Sequence, residues 1–296
     1  MKIVLKFGGT SLASVKDIQN VTKTVCELPK TISDIVVVCS AVDGITDELI
    51  QISEHIKKEN KKNANRTLAR ISQKHKQFAT HIVTDPKIQK VLLDKMKSDL
   101  FELEELVHGL LLLGEVTPRS FDYLVSFGER LSINLVSFGL QQMKKQSVPL
   151  SGKQAGIVTD SNFGESRPLM DTTRIRLSKT IQELFDKKTI PVIGGFAGAD
   201  QHGNITTFGR GGSDYTATII ASCIDADEIW LMSDVDGLMT ADPKMVENAK
   251  LLKEVSYAEA IEMAQFGAKQ IHPRTFEPLL SKKIPMRIRS TFDLDN

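Results

Sequence analysis

Short apolar segments recur along the chain, and most of them end at glycine, serine or aspartate. Residues 3–7, 34–40, 189–196 and 228–233 are nearly continuous apolar runs, which is typical of strands that are buried on both faces of a parallel sheet. Segments with apolar positions at helical spacing separate these runs. Alternating strands and helices favour an α/β fold, and we expect a three-layer αβα sandwich with a mostly parallel central sheet.

Local start and stop signals predict where the helices lie. Ser14 followed by Asp17, and Ser256 followed by Glu259, have the spacing of residues that cap a first helical turn. The predicted helices cover residues 15–28, 48–114, 119–145, 173–187, 213–221, 256–264 and 274–280, with breaks near 60–65 and 85–86. Short strands are expected over 148–160, a hairpin turn at 200–204 and a final strand at 284–288. The excursion over 48–114 is amphipathic, so we interpret it as packing or an oligomer surface.

Composition narrows the class of protein further. The 296 residues carry a net charge of +1 with 25% charged residues, so no global charge points to nucleic acid or a membrane surface. The apolar runs are far too short to span a bilayer, and Lys6 interrupts the first of them before a signal-peptide core can form. Three scattered cysteines without paired spacing predict a reduced, cytoplasmic protein. The six histidines show no metal-binding spacing, so no structural metal is expected.

The sharpest chemical signal is the segment 207–214, which reads TFGRGGSD. Three glycines in four positions allow positive φ and close approach to a ligand, and a helix is predicted to begin at Ser213. A glycine turn that leads into a helix offers unpaired N–H groups to an anion. Arg210 adds a guanidinium suited to carboxylate or phosphate. Taken alone, the segment is equally consistent with a glycine-rich hairpin that carries a surface arginine.

Other strand ends carry similar chemistry. Lys6 lies within the first predicted strand, where a buried ammonium is costly unless a partner or ligand neutralises it; a snorkelling lysine on an edge strand is the alternative. Gly8-Gly9 and the polar turn at 40–47 follow the first two strands, at the edge of a parallel sheet where ligands bind. Glu129 follows a glycine and can face inward, although a surface position or a salt bridge with Arg130 is the default for a helical glutamate.

These charges suit phosphoryl transfer, in which catalysis is mainly positioning and charge neutralisation. The chain lacks a Walker A sequence, the protein-kinase motifs and a dinucleotide-binding GxGxxG after the first strand. The residues alone therefore indicate a nucleotide-dependent α/β enzyme. The candidate charged residues are the cations Lys6, Arg210, Lys244 and Lys269 and the acids Glu129, Asp214 and Asp234.

Four motifs, in order along the chain, give a resemblance to a known family. Residues 6–11 (KFGGTS), 126–129 (SFGE), 207–214 and 266–269 (FGAK) with His272-Pro273 resemble the aspartate kinases of the amino acid kinase superfamily. The resemblance extends over essentially the whole chain. It implies transfer of the γ-phosphate of ATP, with Mg²⁺, to the β-carboxylate of L-aspartate, which yields 4-phospho-L-aspartate and ADP. In this family the reaction opens the biosynthesis of lysine, threonine and methionine.

The resemblance also implies roles for individual positions. Lys6 would bridge the attacking carboxylate and the γ-phosphate, with Asp214 orienting Lys6 or the substrate. Glu129 would receive the ammonium group of aspartate and Arg210 a carboxylate, in a substrate-binding set of Ser40, Thr46, Glu129, Arg210 and Ser213. The nucleotide and its phosphates would contact Lys6, Gly8, Gly9, Thr10, Ser11, Ser233, Asp234, Met239, Lys244 and Lys269. Residues 1–188 would form an amino-acid-binding lobe, and residues 189–296 an ATP-binding lobe.

Two departures from the family pattern bear on these expectations. Met239 stands where the family commonly has a tyrosine before the threonine of its nucleotide loop, which affects the expected adenine or ribose contacts. The sequence ends at Asn296, where aspartate kinases usually continue into paired ACT domains that bind lysine or threonine. We expect either an enzyme without intrinsic feedback inhibition or one regulated by a separate ACT-bearing subunit, and a truncated chain gives the same pattern.

The family further implies a homodimer. Two other interpretations of function stay open: a sibling kinase that acts on another small acid or phosphate, and a catalytically silent nucleotide-binding subunit. Lys6, Glu129, Arg210 and Asp214 together favour catalysis, because a silent subunit does not need all four charges.

Overall fold

The computed structural model describes residues 1–233, 237, 239–240, 246, 248–266 and 271–291, with the backbone alone at Phe266. The strands in this part of the chain are β1 (Lys2–Phe7), β2 (Asp34–Cys39), β3 (Ser147–Leu150), β4 (Val158–Thr159), β5 (Ile190–Gly194), β6 (Ala197–Asp200), β7 (Ile205–Thr207), β8 (Glu228–Ser233) and β9 (Met286–Ser290). The helices are α1 (Val15–Cys26), α2 (Ile45–Lys57), α3 (Lys61–Ile82), α4 (Pro86–Leu113), α5 (Pro118–Val125), α6 (Phe127–Gln142), α7 (Gly152–Ala155), α8 (Met170–Asp186), α9 (Gly212–Cys223), α10 (Tyr257–Phe266) and α11 (Glu277–Leu280). Short 3-10 helices cover Thr10–Leu12 and Pro273–Phe276.

The central sheet has six strands in the order β3-β5-β2-β1-β8-β9, and every neighbouring pair is parallel. β1 is therefore an interior strand, between β2 and β8. A smaller sheet has the order β4-β6-β7, in which β6 and β7 form the hairpin predicted around residues 200–204. β5 follows residue 188 and pairs with β2 and β3, so the central sheet is continuous across the expected lobe boundary.

Successive side chains of the central strands enter two apolar clusters, one on each face of the sheet. On β1, Leu5 belongs to one cluster and Val4 to the other, and on β8 Trp230 and Leu231 divide in the same way. Helices α1 to α6 contribute to the first cluster, and α7 to α11 to the second. Burial of the strands on both faces explains why their sequences are apolar without alternation. The predicted three-layer αβα fold is thus confirmed.

Helix starts follow the predicted capping signals. At α1, the Ser14 hydroxyl oxygen accepts a hydrogen bond from the N–H of Asp17 at 3.2 Å. At α10, the N–H of Ser256 donates to the Glu259 carboxylate at 2.8 Å, and the N–H of Glu259 donates back to the Ser256 hydroxyl at 3.2 Å. The excursion over 48–114 consists of three helices, α2, α3 and α4, and α4 begins directly after Asp85. These local signals therefore place helix boundaries within a few residues.

The prediction of one helix over 119–145 is wrong at Ser126, which separates α5 from α6. The Ser126 hydroxyl donates to the carbonyl oxygen of Tyr123 at 2.7 Å. Serine side chains that bond to nearby backbone in this way compete with regular helical hydrogen bonding. The two helices nevertheless follow each other with a single residue between them, which keeps their side chains in a fixed relationship.

The buried thiols agree with the expected use of cysteine as a small core residue. Cys39 and Cys223 are buried, while Cys26 is only half-buried.

In the described ranges, none of the helices combines the length and the apolar character needed to cross a bilayer.

Candidate active site

A cleft of about 550 Å³ opens beyond the carboxyl ends of β1 and β2, beside the amino-terminal end of α9. Parallel strands bring these segments together because their carboxyl ends lie at the same edge of the sheet. The structure brings every residue that was predicted to be catalytic or aspartate-binding into the lining of this cleft. These residues are Lys6, Ser40, Thr46, Glu129, Arg210, Ser213 and Asp214.

Lys6 and Asp214 form an ion pair in the cleft. The ammonium nitrogen of Lys6 lies 2.6 Å from Oδ1 of Asp214, and the two side chains are only 13% and 19% exposed. β2 and β8 pair with β1 on either side, which excludes the alternative of a snorkelling lysine at a sheet edge. A largely buried ammonium needs a partner, and Asp214 supplies it from the first turn of α9.

Glu129 is buried in the first turn of α6, with only one of its carboxylate oxygens hydrogen-bonded. Oε1 accepts from the N–H of Ala41 at 3.1 Å, whereas Oε2 has no partner in the part of the chain that the structure describes. Burial raises the pKa of Glu129 to about 8. Backbone hydrogen bonds and the Lys6 ammonium lower this pKa, but their effect is smaller than that of burial. A buried carboxylate oxygen without a partner is well suited to bind an ammonium group.

Arg130, the next residue, belongs to a different set of contacts. Its guanidinium lies 2.7 Å from Oδ1 of the buried Asp99 and also pairs with Glu102. The default interpretation of Glu129, a surface position or a salt bridge with Arg130, is therefore wrong. Arg130 lines a second cavity of about 780 Å³, and Glu129 lines both cavities. Glu129, in the first turn of α6, is thus shared by the two cavities.

Arg210 lies in a turn between two glycines in the left-handed conformation. Gly209 and Gly211 have φ angles of 71° and 72°, which a residue with a Cβ atom adopts only with strain. Gly211 directly precedes the 12-residue helix α9, so the turn brings Ser213 and Asp214 to the cleft. The side chain of Arg210 is exposed, as in the alternative of a surface arginine. The glycine-rich hairpin of that alternative is wrong, however, because the turn leads into the helix α9.

The glycine turn after β1 packs against the turn after β2. A Cβ atom on Gly9 would lie 3.4 Å from the carbonyl oxygen of Ala41, and one on Gly8 would lie 3.6 Å from Nζ of Lys6. A Cβ atom on Gly8 would thus be in van der Waals contact with the Lys6 ammonium, and one on Gly9 would contact the turn after β2. Without side chains at Gly8 and Gly9, the backbone beside the Lys6 ammonium stays accessible.

Of the remaining residues predicted for the nucleotide, the structure describes Thr10, Ser11, Ser233 and Met239. Thr10 is exposed, whereas Ser11 is buried, with its hydroxyl 2.8 Å from that of Thr291. The N–H of Thr291 donates to the carbonyl oxygen of Ser233 at 2.9 Å, so Thr291 connects the turn after β1 to the end of β8. Met239 is half-buried. Asp234, Lys244 and Lys269 lie outside the described residues, and all these nucleotide contacts stay predictions.

Two residues near the cleft were not singled out from the sequence. Phe196 lines the cleft and has a φ of 68°, which is uncommon for a residue with a side chain. The Gly194-Gly195 pair at the end of an apolar run was the signal that could have drawn attention to it. Asp122 is fully buried on α5 and accepts hydrogen bonds from Thr207, at the start of the glycine-rich segment. No local pattern marks Asp122.

The chain is similar to known proteins over almost its whole length. The model of the amino acid kinase family matches residues 1–290. An aspartokinase of Geobacillus stearothermophilus is 33% identical over 292 residues, which cover 98% of this chain and 56% of that relative. The crystal structure of E. coli aspartokinase III in complex with aspartate and ADP superposes with a TM-score of 0.90 at 28% identity, covering 100% of this chain and 63% of that one. The chain thus spans little more than half the length of the curated relative.

Fold and site together define a three-layer α/β protein with a charged, glycine-lined cleft at the carboxyl edge of its parallel sheet. With the match over residues 1–290, the chain belongs to the amino acid kinase family. The structure of E. coli aspartokinase III in complex with lysine and aspartate is also similar, with a TM-score of 0.87 and 28% identity over 99% of this chain and 63% of that one.

Proposed function

We propose that this protein is an aspartate kinase, which transfers the γ-phosphate of ATP to the β-carboxylate of L-aspartate. The observation that carries the proposal is the meeting of the Lys6–Asp214 ion pair with Glu129 and Arg210 in one cleft. A carboxylate for an ammonium group, a guanidinium for a carboxylate and a cation for the reacting anions match an acidic amino acid. Similarity to a structure that contains aspartate and ADP supports the same substrates.

In the proposed reaction, an oxygen of the β-carboxylate attacks the γ-phosphorus, and the bond from phosphorus to the bridging oxygen of ADP breaks. No general base is required because the carboxylate is already ionised at neutral pH. Lys6 reduces the repulsion between two anions that must approach each other, and Asp214 holds the Lys6 ammonium in place. The amino-terminal end of α9 adds the positive end of a helix dipole at the same edge.

Recognition of L-aspartate would depend on groups from three segments. Glu129 offers its unpartnered Oε2 to the substrate ammonium, and Arg210 offers an exposed guanidinium to a carboxylate. Ser40 and Thr46 add hydroxyl groups from the turn after β2 and the start of α2. A dicarboxylate without an ammonium group would bind poorly, because it could not form the ion pair with Glu129 and would leave Oε2 buried without a partner.

ATP would bind between the Gly8-Gly9 turn and the end of β8 at Ser233. Mg²⁺, held by the ATP phosphates and waters, would supply further charge neutralisation at the transferred group. The described residues include no group of three or more His, Cys, Asp or Glu side chains that could hold a metal. Gly8 and Gly9 would let backbone approach the phosphates closely.

The proposal also extends to the organisation of the protein. We propose an aspartate lobe of residues 1–188, an ATP lobe of residues 189–296, and a cytoplasmic homodimer, with a separate ACT-bearing subunit as one source of regulation. Exposed apolar side chains on α4, Phe101 at 61% and Leu112 at 83%, support an intermolecular contact on that helix.

The function is tested by measuring ADP release from Mg·ATP with L-aspartate, L-glutamate, N-acetylglutamate and UMP as separate acceptors. Hydroxylamine traps an acyl phosphate as a hydroxamate, and we expect hydroxamate only with L-aspartate. Arg210→Ala should raise the aspartate KM by roughly tenfold or more, because a charge-assisted contact is lost. Arg66→Ala, at an exposed position on α3, is the matched control and should leave the KM unchanged.

The other outcomes distinguish the alternatives. Activity with a different acceptor, and an aspartate KM that Arg210→Ala does not change, would identify a sibling kinase. ATP binding without turnover of any acceptor would identify a nucleotide-binding subunit. Lysine or threonine added to the same assay, with and without a candidate ACT-bearing partner, tests the proposed regulation.

A further inference from the structure

We infer that Asp122 is a positioning residue, which holds the turn that carries Arg210 in register with the helix that carries Glu129. The inference rests on the proposed function, because it concerns the two groups assigned to the charged ends of L-aspartate. Asp122 lies on α5, is fully buried and does not line the cleft. It therefore acts through its neighbours and touches no reacting atom.

The carboxylate of Asp122 receives three hydrogen bonds from two segments of the chain. Oδ2 accepts from the N–H of Thr207 at 2.7 Å and from the N–H of Gly164 at 2.9 Å. Oδ1 accepts from the hydroxyl of Thr207 at 2.9 Å. In the described ranges no lysine, arginine or histidine forms an ion pair with this carboxylate. The three hydrogen bonds offset part of the cost of burying this carboxylate.

Both segments held by Asp122 form part of the cleft. Thr207 and Gly164 line it, and Thr207 is the last residue of β7, three positions before Arg210. A Cβ atom on Gly209 would lie 2.9 Å from the carbonyl oxygen of Gly164, so the two segments pack backbone against backbone. The position of the Arg210 turn therefore depends on the loop at Gly164 and on the bond between Asp122 and Thr207.

At its other end, Asp122 belongs to the helix pair that carries Glu129. Only Ser126 separates α5 from α6, and Glu129 lies in the first turn of α6. Glu129 is fixed in turn by the N–H of Ala41. Asp122 thus links the structure that holds the ammonium-binding group to the turn that holds the carboxylate-binding group. Loosening this link would change their separation and weaken binding of a short ligand that carries charged groups at both ends.

The three donors, two backbone N–H groups and one hydroxyl, determine which substitutions of Asp122 can keep these hydrogen bonds. Asparagine can place its amide oxygen toward the two backbone N–H groups, while its NH₂ group donates to the Thr207 hydroxyl oxygen. Alanine leaves two backbone N–H groups without an acceptor inside the protein. A comparison of Asp122→Asn with Asp122→Ala therefore tests the hydrogen bonds, because only the asparagine side chain can form them.

The experiment measures KM for aspartate, KM for ATP and kcat of the wild-type protein and three variants, with hydroxamate formation as the assay. We expect Asp122→Ala to raise the aspartate KM roughly ten- to a hundredfold with a much smaller change in the ATP KM. Asp122→Asn should restore the aspartate KM to within a few-fold of wild type. Leu124→Ala, a buried apolar change on the same helix, should lower the melting temperature without a selective effect on aspartate.

Two results would overturn the inference. One is an aspartate KM in Asp122→Ala that changes no more than the ATP KM, or no more than in Leu124→Ala at a similar loss of melting temperature. The other, which applies if Asp122→Ala does not fold, is an Asp122→Asn variant with wild-type stability and an aspartate KM as high as that of Arg210→Ala. If the wild-type protein forms no aspartate-dependent hydroxamate, the proposed function itself is contradicted. The wild-type protein is therefore assayed before the variants.

Discussion

Lys6 Nζ lies 2.6 Å from Asp214 Oδ1, and this contact joins the interior strand of the sheet to the first turn of α9. Each residue is mostly withdrawn from water, so each depends on the other for its charge to be tolerated. The ion pair also places a cation between the glycine turn after β1 and the glycine turn before α9. Two anionic substrates that meet at this point would share one positive group.

Replacement of Lys6 by methionine should lower kcat on the order of a hundredfold or more, because the charge that stabilises the transition state is lost. The aspartate KM should change far less than kcat. Lys16→Met, at an exposed position on α1, serves as the control and should behave as wild type. Steady-state hydroxamate kinetics provide the measurement. A Lys6→Met variant with near-normal kcat would rule out the role assigned to Lys6.

The raised pKa of Glu129 predicts a pH dependence of aspartate binding. Glu129 must be ionised to hold the substrate ammonium, and in the unliganded protein its pKa is about 8. The aspartate KM should therefore fall as the pH rises, by roughly tenfold between pH 7 and pH 9, since the ionised fraction rises in that proportion. Glu129→Gln should bind aspartate weakly and lose this dependence. The ATP KM, measured in the same series, is the control; an aspartate KM that stays flat over this range in the wild type argues against the assignment.

We expect protonation of His75 at acid pH to destabilise the helical excursion over residues 48–114. It is fully buried on α3, with Nδ1 2.8 Å from the carbonyl oxygen of Ile71, and burial lowers its pKa to about 4 from the ordinary 6.5. The neutral side chain is favoured by folding, so its stabilising contribution is present above pH 6.5 and is lost as the pH falls toward 4. The loss should reach at most about 1.4 kcal/mol per pH unit.

The matched control for His75 lies on the same helix. His81 makes the equivalent contact, with Nδ1 2.7 Å from the carbonyl oxygen of Gln77, but its side chain is exposed. Urea unfolding at pH 7 and pH 4.5 should show that His75→Gln loses less stability than wild type between the two pH values. His81→Gln should follow the wild type. Equal pH slopes for His75→Gln and wild type would show that His75 is not the group responsible.

At Gly128 we expect one added methyl group to reduce both the stability of the protein and its binding of aspartate. A Cβ atom there would lie 2.8 Å from the Cβ of Ala41, whose N–H holds Glu129. Gly128→Ala should cost about 1–3 kcal/mol of unfolding free energy and raise the aspartate KM. Gly109, on α4, has no atom within 4 Å of the equivalent point. Gly109→Ala should therefore stabilise the protein by about 0.5–1 kcal/mol without affecting KM.

Thermal and urea unfolding of the two glycine variants provide the comparison. A Gly128→Ala protein as stable as Gly109→Ala would show that α6 can shift away from the turn after β2 at little cost. A stable Gly128→Ala variant with a raised aspartate KM would show that the shift occurs and carries Glu129 with it.

Strand positions could be predicted closely because each buried strand is a continuous apolar run with polar or glycine punctuation. The run at 3–7 became Lys2–Phe7, and the run at 228–233 became Glu228–Ser233. Parallel packing then brings the carboxyl ends of the strands together, so Lys6, Ser40 and Thr46 could be expected in one site. The capping pairs at Ser14 and Ser256 were equally local signals.

Burial decided what the sequence left open. Glu129 could be a surface residue or an inward one, and only its contact with Ala41, 88 residues away in the chain, resolves the choice. Asp122 has no sequence signal, because the groups that explain it lie 42 and 85 residues further along. The buried contact between Ser11 and Thr291 spans 280 residues. Such contacts arise from tertiary packing and leave no periodic pattern.

The interior position of β1 also constrains how the chain acquires its structure. One neighbour, β2, follows after a single α-helix, α1. The other, β8, follows directly after Asp227, whose carboxylate accepts a hydrogen bond from the N–H of Lys2, 225 residues earlier, at 2.7 Å. Pairing at such a separation is slow because the intervening chain must be ordered first. Until β8 docks, one side of β1 presents free N–H and C=O groups to other chains. Refolding should consequently be most productive at low protein concentration, where a strand from a second molecule seldom arrives before β8 does.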